Sequence, residues 1–192
     1  MALPLPRLTP EAYLAIEREA DYRSEYFGGE MFAMPGGTRR HSRLGMDLGR
    51  ILMNRLKDCG SPCEVFGPDM KVRTGPDGLY TYPDVSVACG EPDTDLSDFL
   101  TRPKLIIEVL SDSTEAKDRG FKFQHYKRIP TLEEYILVSQ FEPLIERFWR
   151  APGGEWTGYS EMRGLEATLV LESVSLAIPL AEIYQGVHFE QH

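Results

Sequence analysis

Two apolar stretches of this chain each carry a residue that an apolar strand would not normally hold. In Lys104-Leu105-Ile106-Ile107-Glu108-Val109-Leu110 it is Glu108, and in Tyr82-Pro83-Asp84-Val85-Ser86-Val87-Ala88 it is Asp84. β-Branched and aliphatic residues dominate both stretches and turn-formers bound them, so both read as short buried strands. An ionised carboxylate in such surroundings is costly unless a cation, a metal or several donors compensate it. Two of them on neighbouring strands would also repel each other, and a divalent metal would relieve both problems. Beyond Leu110, Ser111-Asp112-Ser113-Thr114 is a helix-start signal, and a helix is expected from Glu115 to Arg128, ended by Pro130. Spacing of four residues puts Asp118, Lys122 and Tyr126 on one face of it, able to lie over the ends of the preceding strands. Asp, Glu and Lys in the order strand, strand, helix point to metal-assisted phosphodiester hydrolysis.

The elements that must position these residues can be read in order. Thr9 and Pro10 open a short helix to about Glu19, and Tyr22 to Met34 alternates around Gly28-Gly29 as a β-hairpin. A long helix follows Gly36-Gly37-Thr38 and ends near Gly60, with Leu44, Leu48, Ile51, Leu52 and Leu56 as its buried stripe. Glu64 to Phe66 and Met70 to Arg73 read as successive strands before the Asp84 strand. The polar stretch 90–103 reads as a surface loop with a helical turn. Glu134 to Val138 is a further strand, and Leu144 to Tyr159 is a hairpin around Gly153-Gly154, with Trp149 and Trp156 expected to pair across it. Two more strands, near 167–171 and 175–178, precede a short C-terminal helix.

At 192 residues the chain is long enough for one domain with its own core, and 42% hydrophobic and 27% charged residues are ordinary for a soluble protein. No apolar run approaches membrane-spanning length and the N-terminus lacks a basic-then-apolar signal, so a cytoplasmic location is expected. Cys59, Cys63 and Cys89 lack metal-finger spacing and are expected as reduced structural thiols. A net charge of -9 argues against a generic nucleic-acid binder, but its distribution softens that objection. Residues 38–58 hold Arg39, Arg40, Arg43, Arg50, Arg55 and Lys57 against Asp47 and Asp58, and residues 113–130 are basic in the same way. Solvated helix faces would leave the same pattern.

Pro83-Asp84, Glu108-Val109-Leu110-Ser111, Ser113-Thr114, Asp118, Lys122 and Tyr126 together resemble the Uma family of proposed restriction endonucleases, within the PD-(D/E)XK nuclease superfamily. The match extends through Glu30, His41 and the closing Pro179-Leu180-Ala181-Glu182-Ile183-Tyr184, so it covers nearly the whole chain. The resemblance implies an α/β restriction-endonuclease-like fold, with a mixed central β-sheet flanked by helices. Its core would span about 38–138, preceded by the helix and hairpin of 9–34 and followed by an additional C-terminal β-region over 144–184. It further implies that Asp84, Glu108 and the Val109 carbonyl hold Mg²⁺ or Mn²⁺, and that Lys122 orients the attacking water. Glu30 would be an extra metal or water ligand, Asp118 would orient Lys122, and Tyr126 would position groups or touch substrate. His41, with Arg39, Arg40 and Arg43 beside it, would contact substrate phosphates. The expected partners are nucleic acid, DNA in particular, and a second copy of the chain in a homodimer.

One departure matters. The superfamily places Lys two residues after the Glu, where this chain has Leu110, and Lys122 looks like a migrated replacement. Lys122 with Tyr126 resembles the Gln-x-x-x-Tyr helix motif of RecB-like nucleases. Two other classes stay open: a nucleic-acid-binding module that keeps the fold without turnover, and a structural interaction protein. Leu110 and the net acidity favour the first of these.

Overall fold

The computed structural model describes residues 7–76, 78–90 and 98–189. Helix α1 (Pro10–Glu19) starts where Thr9 accepts a hydrogen bond from the Ala12 N–H, and the hairpin strands β1 (Ser24–Phe27) and β2 (Glu30–Ala33) follow. Helix α2 (Arg39–Asp58) is capped by Thr38, whose hydroxyl accepts from the His41 N–H. Then come β3 (Glu64–Phe66), β4 (Lys71–Arg73), β5 (Tyr80–Thr81), β6 (Val85–Ala88), β7 (Phe99–Leu100) and β8 (Pro103–Leu110). The helical segment after β8 has three parts: α3 (Glu115–Lys117), a wide π turn (Asp118–Lys122) and α4 (Phe123–Tyr126). Strands β9 (Glu134–Ser139), β10 (Leu144–Arg150), β11 (Trp156–Arg163), β12 (Thr168–Leu171) and β13 (Leu176–Pro179) lead to the short α5 (Leu180–Ile183).

Among the described residues the strands form three sheets. The largest has the order β11-β10-β9-β8-β6-β3, the second β2-β1-β5-β4-β7, and β12 pairs with β13 alone. The largest sheet is mixed: β8 runs parallel to β9 and antiparallel to β6. Strand β8 is its axis, and its side chains divide by the two-residue period of an extended chain. Leu105, Ile107 and Val109 enter the core under α2, together with Val85, Val87, Ile136 and Val138. Ile106 and Leu110 enter the opposite core with Val72, Tyr126, Tyr135 and Leu137. Glu108 shares the parity of that second set, so its carboxylate enters the layer between the large sheet, the second sheet and the helical segment.

Helix α2 holds its place by burial. Leu44, Leu48, Ile51, Leu52 and Leu56 are essentially inaccessible, and each contributes roughly 1.5–3 kcal/mol. That outweighs the roughly 1 kcal/mol that Gly45 and Gly49 each cost in a helix interior. A Cβ at Gly45 would stand 3.8 Å from the Asp84 Cβ, an ordinary contact, so the helix passes over the start of β6 without the space there requiring glycine.

Several expectations need correction. Tyr82 to Ala88 is not one strand. Tyr80–Thr81 belongs to the second sheet and Val85–Ala88 to the first, and Pro83, which has no N–H to donate, lies in the crossing between them. Strands β3 and β4, successive in sequence, likewise part into different sheets. Of the loop and helical turn expected over 90–103, residues 91–97 lie outside the described residues, and Phe99–Leu100 is a strand parallel to β4. Cys63 and Cys89 are joined by a disulfide rather than reduced, because β3 and β6 pair and bring their ends together. Cys59 is free and exposed. Trp149 and Trp156 do not face each other: Trp149 lies opposite Gly158, while a register shift sets Trp156 opposite Arg150. Among the described residues no helix is long and apolar enough to cross a membrane.

Candidate active site

Asp84 stands one residue before β6, at the mouth of its ladder with β8. Val85 pairs with Ile107, so continuing that register by one residue places Asp84 across from Glu108. The Asp84 carboxylate accepts a hydrogen bond from the Val109 N–H at 2.7 Å. Its other neighbour is His41, on the first turn of α2, with Nε2 3.4 Å from Asp84 Oδ2. The hydrogen bond to Asp84 raises the His41 pKa, burial works against it, and the Val109 backbone adds a further raising contact. His41 therefore engages Asp84 and the Val109 backbone, the same groups to which the family resemblance assigns the metal.

Glu108 is 3% exposed. Tyr126 donates its hydroxyl to Glu108 Oε1 at 2.8 Å, and Lys122 Nζ lies 3.1 Å from the same oxygen. Lys122 also lies 2.9 Å from Asp118 Oδ1 and 3.3 Å from Glu25 Oε1. Burial pushes the Glu108 carboxyl up to about 8, with Asp118 and Asp84 adding to the rise and Lys122 opposing it. For Lys122, burial lowers the pKa, but Glu108, Asp118 and Glu25 together hold it well above its ordinary value. These two directions compete, since a neutral Glu108 would withdraw one of the charges that hold the ammonium. With Asp118 and Glu25 still beside it, the ammonium stays charged, and the carboxylates titrate as a group.

The π turn explains how one helical face serves the site twice over. In an unbroken α-helix, eight residues overshoot two full turns by about 80°, which would carry Asp118 out of line with Tyr126. The wide turn absorbs one extra residue and brings both back over Glu108, and such turns recur at functional sites. Tyr135 fixes the turn from below by donating to the Asp118 carbonyl at 3.1 Å.

Asp84, Glu108, Lys122, Asp118, Tyr126 and His41 thus converge. Glu30 does not: it is exposed at the head of β2, the outer strand of the second sheet, paired across the hairpin with Phe27. The hairpin contributes Glu25 instead, 5% exposed and held by Thr81, Lys117 and Lys122. Its signal was present in the sequence, a carboxylate inside Ser24-Glu25-Tyr26-Phe27, but weaker than that of Glu108 because apolar residues flank it on one side alone. The three arginines part company. Arg39 is exposed, Arg40 donates to the Gln140 carbonyl at 3.1 Å, and Arg43 pairs with Asp47 on its own helix. Gln140 was also missed. It donates to the Leu110 carbonyl at 2.8 Å and bonds Thr38, tying the end of β8 to the cap of α2.

The donor set fits a hard divalent cation. Asp84, Glu108 and the Val109 carbonyl offer oxygen alone. Glu25, Glu108 and Asp118 surround Lys122, with Lys117 also on Glu25, while Asp84 meets His41 and the Val109 N–H. Among the described residues no three His, Cys, Asp or Glu side chains form a ready metal cage. The protein would therefore supply few ligands and water the rest, the usual manner of Mg²⁺.

Comparison with known proteins agrees with this architecture. The model of the Uma2 family, described as "Putative restriction endonuclease", matches residues 10–181. A protein of Synechocystis sp. described as uncharacterised is 38% identical over 188 residues, covering 97% of this chain and 96% of its own. A second Synechocystis protein, also uncharacterised, is 36% identical over 164 residues, covering 84% of this chain and 91% of its own. A crystal structure from Anabaena variabilis, described as a "putative nuclease belonging to DUF820", superposes with a TM-score of 0.73. It is 16% identical and covers 91% of this chain and 96% of that one. The chain belongs to the Uma2 family, and its fold is restriction-endonuclease-like.

Proposed function

We propose that this chain is a Mg²⁺- or Mn²⁺-dependent endonuclease that hydrolyses phosphodiester bonds of nucleic acid, DNA in particular. The observation that carries the reading is the convergence of Asp84, at the mouth of the β6–β8 ladder, and Glu108 of β8 with the buried ammonium of Lys122. Membership of a family described as restriction endonucleases supports it. A bound divalent cation lowers the pKa of a water and offsets charge on the phosphate. Asp84, Glu108 and the Val109 carbonyl would hold that cation, and the Val109 N–H and His41 both bond the Asp84 carboxylate. Lys122 supplies fixed positive charge where charge develops on the phosphoryl oxygens. Arg39, exposed on the first turn of α2 beside His41, is the arginine of the three best placed to meet a substrate phosphate. Two copies with two-fold symmetry would bring one site to each strand of a duplex. Among the described residues β11 is an edge strand of the large sheet and a surface available for that pairing, and a monomer mass by light scattering would remove this part of the reading.

Asp84→Ala is expected to lose both divalent-cation binding and cleavage. Calorimetric titration with Mg²⁺ and Mn²⁺ is run beside cleavage assays on single- and double-stranded DNA. Wild-type protein that cuts no substrate with either metal would turn the choice to a second reading, a binding module without turnover. Leu110, buried where the superfamily has its lysine, is the observation that favours that second reading. Binding of DNA without metal-dependent cleavage selects it.

A further inference from the structure

We propose that Glu25 is a positioning residue for Lys122, holding the ammonium in the place that the nuclease reading above requires of it. A lysine ammonium has three N–H donors and no acceptor. Here three carboxylates surround it: Asp118 at 2.9 Å, Glu108 at 3.1 Å and Glu25 at 3.3 Å. They are not equivalent as anchors. Asp118 sits on the same helical segment and moves with Lys122, so it cannot set the lysine's place relative to β8. Glu108 is the group whose relation to Lys122 has to be set. Glu25 comes from β1 in the second sheet, an element independent of both.

Glu25 is itself held. It accepts from the Thr81 hydroxyl and from Lys117, and those lysines lower its pKa against the burial that would raise it, so it is ionised at neutral pH. The contacts close on themselves. Thr81 donates to Glu25 and Tyr126 donates to Glu108 at 2.8 Å, their two hydroxyl oxygens 3.4 Å apart in contact without a shared proton, and Glu108 returns to Glu25 through Lys122. This ring of Glu25, Thr81, Tyr126, Glu108 and Lys122 crosses both large sheets and the helical segment. A displacement of the ammonium would break it at two carboxylates at once. The partners of Glu25 are one hydroxyl and two ammonium groups, none of them at Asp84 or the Val109 backbone, so its work is on the lysine and not on a cation.

The test compares wild type, Glu25→Gln and Glu25→Ala, with folding followed by thermal melting. The first readout is the nitrogen–proton spectrum of protein carrying isotope-labelled lysine, in which the Lys122 ammonium is identified by its disappearance in Lys122→Arg. An ammonium buried among three carboxylates and hydrogen-bonded to Glu108 is shielded from exchange with water, so wild type should show this signal near neutral pH. Glu25→Gln should keep it at a shifted position, and Glu25→Ala should lose it to exchange with water. The second readout is cleavage. Glu25→Ala should lower kcat about 100-fold, the scale of a misplaced catalytic group, with KM for DNA and the metal isotherm unchanged. Glu25→Gln, which keeps an acceptor, should recover most of that loss. A Lys122 signal absent from wild type, or unchanged in position and exchange in Glu25→Ala, overturns the proposal. Should Glu25→Ala fail to fold, an unshifted signal in Glu25→Gln overturns it equally. If wild type cuts no nucleic acid, the nuclease reading fails while the ammonium comparison still decides the role of Glu25.

Discussion

Lys122→Ala is expected to slow phosphodiester cleavage by about two to three orders of magnitude, the scale of losing one preorganised transition-state donor. Divalent-cation affinity should stay the same or tighten slightly. An ammonium cannot ligate a cation, and it stands 3.1 Å from Glu108, so its removal takes a competing positive charge away from the metal's carboxylates. The same removal leaves Glu25, Glu108 and Asp118 without the cation they share. Breaking a buried ion pair in this way costs roughly 3–5 kcal/mol, and here proton uptake relieves part of it. Burial pushes the Glu108 carboxyl up and Lys122 opposes that rise, so Glu108 is the carboxyl whose protonated form this removal favours. Metal titration, cleavage and urea unfolding of the same preparations separate the three effects. Wild-type cleavage by Lys122→Ala would remove the lysine from the mechanism.

Glu134→Ala is expected to destabilise the fold by roughly 3–5 kcal/mol and to leave the cleavage rate of the folded protein unchanged. Glu134 is 2% exposed, as buried as Glu108, yet its surroundings are of the opposite kind. Arg147 donates to it at 2.6 Å, the Ser173 N–H at 3.1 Å and the Glu172 N–H at 3.2 Å, and the Ser173 hydroxyl adds a further bond. The carboxylate thereby ties β9 and β10 of the large sheet to the turn after β12. Its loss strands Arg147, itself 7% exposed, without its buried partner. A urea midpoint equal to that of wild type would refute this. Burial of a carboxylate is thus not in itself a mark of chemistry: one whose acceptor sites are filled by arginine and backbone donors is a fastener, and one crowded by other carboxylates is a site.

That distinction shows how far the sequence could be read. Asp84, Glu108 and Lys122 stood out because a strand's apolar run and a helix's four-residue spacing are local patterns; the run around Glu108 survives as β8, whereas the stretch around Asp84 splits at Pro83 and the helix of Lys122 is interrupted by the π turn. Glu25 and Glu30 could not be told apart in the same way. Glu25 is buried because β1 lies inside the second sheet beside β5, a strand of two residues that leaves no pattern to recognise. The Cys63–Cys89 bond needed the pairing of β3 with β6, and the separation of the tryptophans needed the register shift after Trp149. Both are relations between strands rather than properties of a stretch. The break between Thr81 and Val85 was signalled by Pro83, but the sequence does not say that the chain there passes from one sheet to another.

The π turn between Asp118 and Lys122 holds one residue more than an α-helical turn would, with Asp118 at its start and Lys122 and Tyr126, which reach Glu108, at its end and beyond. Chain length here is therefore under tighter constraint than chain composition. Arg119 bonds Glu115 and Glu146 and Phe121 packs on Phe27 and His125, so a substitution at either acts away from Glu108, but one residue gained or lost turns Asp118 about 100° away from the others. Divergence in this segment should run through substitution and leave its length untouched.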